Sequence, residues 1–480
     1  MKTLAIIGGG AAGLAAAVES ARCARLRGVD LRVVVYEADQ KIGRSILRSG
    51  NGRCNFSNAG ILPWDNDLLA SLYQNGAFVA RVMQELERSA NAFPFGGEAA
   101  GGSAACAPCA PLQDSASNQV LAFFQELGLA WRQEGEGRLY PYANKAQSLL
   151  DALRRALAEL EVTVQLESPV ASVEPPVNSG ERVTLRMADG AFQRTDQVIV
   201  AVGGTLAQML LGSAADFVPT RPLLGPVAAW PLCEPRLQGQ GGSKGREQGA
   251  RTESLPALRK AKGKRKGRGA ESCASSVLNG LDNMRVRCGV RLARPTSGKL
   301  LTVAQETGEV LFRKYGLSGI AVFNLSRFAQ PGDVLLVDLL PELSADQALS
   351  WLEHRCQARR ESAADMLQGF LLPNVARVMC RQAGVDPDAL AEREQALPLA
   401  RACKELGFEV RGIGDAAQCQ VHRGGVDVSQ VSSRTLQLSA APSVRVVGEA
   451  LDVDAPCGGY NLHWAWASGL LAARSAIEDL

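Results

Sequence analysis

The 480-residue chain carries 52 Lys or Arg against 49 Asp or Glu, a net charge of +3, and 46% of its residues are hydrophobic. That length suggests two or three domains, and the balanced composition argues against a fibrous or wholly disordered chain. No run of about 20 apolar residues occurs, so no membrane-spanning helix is expected, and the twelve scattered cysteines read as reduced thiols of a cytoplasmic protein.

Residues 4–7 are a short apolar run that reads as a buried strand. It leads into Gly8, Gly10 and Gly13 in G-x-G-x-x-G spacing, followed by an alanine-rich helix and a second strand, LRVVVYE, that ends on Glu37. Gly8 permits the tight turn, Gly10 the approach of a pyrophosphate, and Gly13 close helix–strand packing. The helix start, at Ala11 and Ala12, points its amides and positive dipole end at that phosphate. Glu37 is placed to accept the ribose hydroxyls and disfavours a 2′-phosphate, so the expected ligand is FAD or NAD rather than NADP. Gly8 also breaks the apolar run too early for a signal peptide.

A loop dense in Gly, Arg, Ser and Asn follows, GRSILRSGNGRCNFSN, suited to holding a ligand rather than to a core. Residues 66–90 are expected to be helical, residues 94–118 a low-complexity loop, residues 118–129 helical again, and residues 136–160 a hairpin-like turn followed by another amphipathic helix. Strands are expected at 162–166, 183–187 and 197–202, the last running into a second glycine turn at Gly203. Between about 206 and 410 the composition changes, with short strands and then helices from about 344 to 406. Residues 236–270 hold eleven Lys or Arg against two Glu, a local balance of +9 that leaves −6 for the rest. No aromatic residues interleave those charges, so a disordered surface insertion is expected there and nucleic acid is not expected as a partner. The chain returns to strands and closes on a helix from about His463. No further strand–glycine–helix unit occurs, so a nicotinamide nucleotide would be a visitor to a domain built for one dinucleotide.

The segments GRSILRSGNGRCNFSN, EGRLYP, EVLFRKYGLSG, HRGGVDVSQV and GEALDVDAPCGGYNLHWAWASG occur in that order. Together they resemble the flavoprotein family that includes enzymes called aminoacetone oxidase and 3-dehydro-bile-acid Δ4,6-reductase. The resemblance implies an α/β fold: a Rossmann-like FAD-binding domain assembled from both chain ends, residues 1–205 and 411–480, around an inserted β-rich and helical substrate domain, 206–410. It implies that Arg44, Ser45, Arg53, Cys54 and Asn55 line the pyrophosphate and flavin side. Val170 would reach the adenine, and Ala201, Val202 and Gly203 would form the second contact turn. Gly448, Glu449 and Asp452 would lie by the ribityl chain, with Gly459, Tyr460, Asn461 and Leu462 near the ring. His463 stands where the family usually has Gln, and Ala455 where it usually has Gly.

Arg53 beside Cys54 would favour a thiolate, against the plainer reading of a small packing residue. Cys106 and Cys109 form a CxxC inside a Pro- and Ala-rich loop, so neither a redox dithiol nor a metal site is expected. His463 at the start of the last helix and Tyr315 in KYGLSG are the candidate proton-donating residues. The activity expected from the resemblance is FAD-dependent and NAD(P)H-driven reduction of an activated C=C bond in a bulky apolar small molecule. The alternatives are an amine oxidase using oxygen and a flavoprotein that binds a polyanion through 236–270.

Overall fold

The computed structural model describes residues 1–61, 66–95, 118–176, 181–232, 277–297 and 299–480. The expected insertion at 236–270, the CxxC and most of the loop at 94–118 lie outside them. The chain divides into two compact units, Met1–Arg221 with Val421–Leu480, and Pro222–Gln420. These divisions fall later than 205/206 and 410/411. A boundary at 411 would cut the strand Leu406–Ile413, which closes the barrel of the second unit.

The first unit is built on a six-stranded sheet in the order 437–438, 441–446, 197–200, 2–7, 31–36, 163–165. All neighbours are parallel except the edge strand Gln437–Leu438. Leu4, Ile6, Val35, Val198, Ile199, Val444 and Val446 are buried, as expected of parallel strands covered on both faces. Ile7 stands in register with both Tyr36 and Val200. The carboxyl ends of these strands therefore bring Gly8, Glu37 and Ala201 to one edge of the sheet. The next strand, Ala441–Val446, delivers Gly448 to the same edge. Ligands bind at this edge in open α/β sheets.

The helices Ala11–Arg27 and Tyr460–Glu478 pack closely through small residues. A Cβ at Gly469 would stand 2.5 Å from the carbonyl oxygen of Ala12. The last helix begins at Tyr460, earlier than the sequence indicates, with Gly459 at φ +99° as its cap. The helical span at 66–90 is broken into Asn66–Leu72 and Gly76–Arg88. The break has a tertiary cause: the Gln74 amide and the Asn75 side chain bond to the loop at 452–454 instead of continuing a helix.

The second unit is a closed barrel in the order 227–231, 316–318, 299–313, 285–296, 334–338, 406–413. Val290, Leu292, Phe312, Leu317, Leu335 and Phe408 fill its core. The strand Lys299–Arg313 is fifteen residues long, where the sequence suggests a short one. Its first ten residues are exposed or half-buried whether polar or apolar, Leu301 among them at 61%, so no buried alternation marks them. Four helices, Ala345–Ala358, Ala363–Leu367, Pro373–Gln382 and Ala396–Lys404, occupy the expected helical span. No helix among the described residues is long and apolar enough to cross a membrane.

Candidate functional site

The glycine turn is held as its spacing predicts. Gly8 has φ +107°, and a Cβ on it would stand 2.7 Å from the Ala201 carbonyl oxygen; at Gly13 a Cβ would meet the Gly8 oxygen at 1.9 Å. Only glycine allows these approaches. The helix from Ala11 is capped by Gly10, which offers no side-chain hydrogen bond, so its first amides remain available to an anion.

Glu37 braces this turn. One carboxylate oxygen accepts the Gly9 amide at 2.7 Å and the other the Asp39 amide at 2.9 Å. Each oxygen keeps a lone pair for a ribose hydroxyl. Arg44 is exposed and pairs with Asp39 at 2.5 Å, and the Ser45 hydroxyl lies 3.4 Å from where a Cβ on Gly10 would stand. Ala201, Val202 and Gly203 are half-buried beside Gly8. Val170 is half-buried on the strand Val170–Glu174, opposite Met187.

The second half of the site differs from expectation at Arg53 and His463, while Cys54 takes the plainer packing role. Arg53 turns to the protein: it donates to Asn144 at 2.5 Å, pairs with Glu134, and stacks 4.2 Å over Tyr140. Cys54 is fully buried, and burial pushes its thiol up to about 12. It packs as a neutral thiol, and the thiolate that Arg53 would favour is absent.

His463 is the second correction. It is fully buried, its Nδ1 lies 2.8 Å from the Ser57 hydroxyl, and burial lowers its pKa to about 3. A neutral imidazole held this way does not donate a proton at neutral pH; it positions Ser57.

Around the start of the last helix the remaining residues converge. The Asn55 side-chain oxygen is buried without a hydrogen-bond partner, 2.9 Å from where a Cβ on Gly459 would stand. Gly459 supplies no side-chain cap. Tyr460 is half-buried, burial raises its phenol above the ordinary value, and its carbonyl accepts the Tyr73 hydroxyl at 2.9 Å. Asn461 bonds the amide and carbonyl of Ala455 at 2.9 and 2.8 Å, and Leu462 is half-buried beside it. The Gly448 amide donates to Ser468 and its carbonyl accepts the Trp464 indole.

Glu449 accepts the backbone and ring nitrogens of His422, which raises the His422 pKa. Asp452 is turned inward, accepting the Gly424 amide at 2.9 Å and the Asn75 side chain at 3.2 Å. Tyr315 belongs to the second unit, where its ring lies against Gly414, 2.8 Å from where a Cβ there would stand. This favours the packing role over the proton-donating one.

The residues present fit FAD on three observations: two uncapped helix starts, a glycine cradle closed against side chains, and a buried unpartnered oxygen at Asn55. Ser57, Tyr73, Asn75, Arg423 and Asp454 support the site without having been singled out by sequence. Ser57, Arg423 and Asp454 lay in quoted motifs, GRSILRSGNGRCNFSN, HRGGVDVSQV and GEALDVDAPCGGYNLHWAWASG, while Tyr73 and Asn75 lay in none. Among the described residues no group of three or more His, Cys, Asp or Glu is placed to hold a metal ion.

A family model described as the HI0933-like protein Rossmann domain matches residues 101–475. One described as an NAD(P)-binding Rossmann-like domain matches residues 6–74. The chain is 29% identical over 494 residues to the 3-dehydro-bile acid delta(4,6)-reductase of Clostridium scindens, covering 100% of both chains. It is 25% identical over 487 residues to the ribosomal RNA dihydrouridine synthase of Escherichia coli, covering 98% of this chain and 97% of that one. Among solved structures, the 3-ketosteroid-delta4-(5alpha)-dehydrogenase of Rhodococcus jostii, in complex with 4-androstene-3,17-dione, aligns with TM-score 0.40 and 14% identity over 99% of this chain and 97% of that one. With an RNA-named relative of this coverage, the expectation that nucleic acid is no partner is not supported.

Proposed function

The chain belongs to the HI0933-like Rossmann family of FAD-dependent oxidoreductases, and we propose that it is an NAD(P)H-driven reductase of a C=C bond conjugated to a carbonyl. The observation that carries the reading is the bond change named by two full-length relatives. A Δ4,6-reductase of a 3-dehydro bile acid and a dihydrouridine synthase both saturate a C=C bond in conjugation with a carbonyl, one in a steroid and one in a base.

FAD, when bound, supplies the hydride acceptor and donor for such chemistry. The chain's own part is to hold and orient. The amides at Ala11 and Ala12 take the diphosphate, and Glu37 takes the ribose while bracing the glycine turn. The first turn of the last helix presents its positive end at Gly459–Leu462, where negative charge on a reduced ring is stabilised. Trp464 and Trp466 are buried and anchor that helix to Gly448 and Phe56. Tyr460 keeps its phenolic proton through neutral pH, so its Oη can supply the proton that the carbon next to the carbonyl requires.

A steroid-like dienone is the first substrate to offer, given the 29% identity. RNA is the second reading, favoured by the full-length match to the RNA enzyme and by the +9 balance of residues 236–270. Product analysis separates them. Incubation with NADPH or NADH should add two hydrogens to a bile-acid-type dienone, or to uridines of a ribosomal RNA fragment. Peroxide release from amines without either product would replace the reductase by the oxidase reading.

A further inference from the structure

The loop that leads to the last helix, residues 448–456, contains two carboxylates that face into the protein. Asp454 is 1% exposed and Asp452 5%. Burying a carboxylate costs several kcal/mol unless it is paired and hydrogen-bonded. Asp454 is paired with Arg423, Asp452 is hydrogen-bonded by Gly424 and Asn75, and the backbone carbonyls of both are held as well.

The strand Val421–Val426 provides one side. The Arg423 guanidinium grips Asp454 with two bonds, Nε to Oδ2 at 2.6 Å and Nη2 to Oδ1 at 2.9 Å, and the Gly424 amide donates to Asp452 Oδ1 at 2.9 Å. Such a fork fixes direction as well as distance. Gly425 lets the strand come close: a Cβ there would stand 2.5 Å from the Ala450 carbonyl oxygen, and φ is +132°. The break between the helices Asn66–Leu72 and Gly76–Arg88 provides the other side. There the Gln74 amide donates to the Asp454 carbonyl at 2.7 Å, and Asn75 Nδ2 donates to the Asp452 carbonyl at 2.7 Å. The next residues, Ala455 and Pro456, are tied by the Asn461 side chain to the first turn of the last helix.

A continuous path thus runs from Arg423 by hydrogen bonds to Asp454, through the peptide link to Ala455, and by hydrogen bonds to Asn461. We propose that Arg423 is a positioning residue: with Asp454 it sets the angle and rigidity of the helix start at Gly459–Leu462, and so the fit of the flavin ring. Arg423 acts through the loop rather than on the cofactor. The inference rests on FAD being the ligand, so its test reads the loop and the cofactor separately.

The experiment compares the full chain with Arg423→Lys, Arg423→Gln and the paired substitution Arg423→Met with Asp454→Leu. Hydrogen exchange of peptides spanning 448–463 is measured without cofactor, and FAD affinity and the flavin absorption band with it. Loss of a bidentate grip on a buried carboxylate should speed exchange in those peptides and weaken FAD by about tenfold or more in Arg423→Gln, with Arg423→Lys between. The paired substitution removes the unpaired buried charge and should recover thermal stability. It should still show weakened FAD and a shifted flavin band, which a purely structural role would not give. Unchanged exchange at 448–463 overturns the clamp. Faster exchange with unweakened FAD and an unshifted band overturns its link to the cofactor. An unsubstituted protein that takes up no FAD overturns the cofactor assignment and the link, while the exchange result still judges the clamp.

Discussion

The fully buried His463 makes a quantitative prediction about acid sensitivity. Its imidazole would titrate near 6.5 in the unfolded chain and does so at about 3 in the folded one. Between those values the unfolded state binds a proton that the folded state refuses, so this residue's contribution to stability is fully present above 6.5 and is lost as pH falls toward 3. Taking the chain from about pH 7.5 to about pH 5 should cost about 2 kcal/mol through this group alone. The perturbation is His463→Gln, which keeps a polar side chain for Ser57 and removes the titration. Urea unfolding of both proteins at the two pH values is followed by tryptophan fluorescence, with Trp464 and Trp466 on the same helix as reporters. The substituted protein should lose about 2 kcal/mol less on acidification than the original. Equal losses in the two proteins would refute the burial argument. Every other titrating group is common to both and cancels.

His422 behaves with the opposite sign. Its pKa is raised by Glu449, so its small contribution is present below the unfolded value and is lost as pH rises through the folded one. The pair is well exposed, at 49% and 39%, so His422→Ala should remove under about 1 kcal/mol at pH 6 and still less at pH 8 in paired unfolding curves. Glu37→Ala should weaken FAD about tenfold to a hundredfold by flavin fluorescence titration, because a charged acceptor for the ribose and the brace on Gly9 go together; full retention of flavin on purification would count against the ribose role. Gly13→Ala drives a Cβ into the Gly8 carbonyl oxygen and should cost about 3 kcal/mol or more, with loss of bound flavin. Glu19 is buried between Arg474 and Arg22, at 2.7 and 2.8 Å. Glu19→Ala leaves Arg474 buried without its carboxylate and should cost about 3–5 kcal/mol by calorimetry, whereas Glu19→Leu combined with Arg474→Met should cost much less.

The first half of the site was readable because its parts are local. Strand, turn, helix and acid follow one another within 37 residues, and Gly13 is required by a contact across that same turn, although Gly8's closest approach is to the distant Ala201. The second half depends on pairs far apart in the chain: Ser57 with His463, Asn75 with Asp452, Arg423 with Asp454. No spacing announces such partners. The last helix hid the burial of His463 for a related reason. It is buried on nearly every side from His463 to Ile477, so no polar face distinguishes a residue turned toward the ligand from one turned away. The break at Asn75 and the length of the strand Lys299–Arg313 were missed because tertiary bonds end the first and the second begins with residues exposed or half-buried on both faces, apolar Leu301 included.

The most direct test of the reductase reading is anaerobic stopped-flow absorbance at the flavin band of the purified holoprotein mixed with NADH or NADPH, followed by a dienone or a uridine-containing ribosomal RNA. The account predicts bleaching by one of the two nucleotides and recovery of the band when the conjugated C=C compound is added without oxygen. A flavin that neither nucleotide bleaches, or a bleached flavin that only oxygen restores, would contradict it.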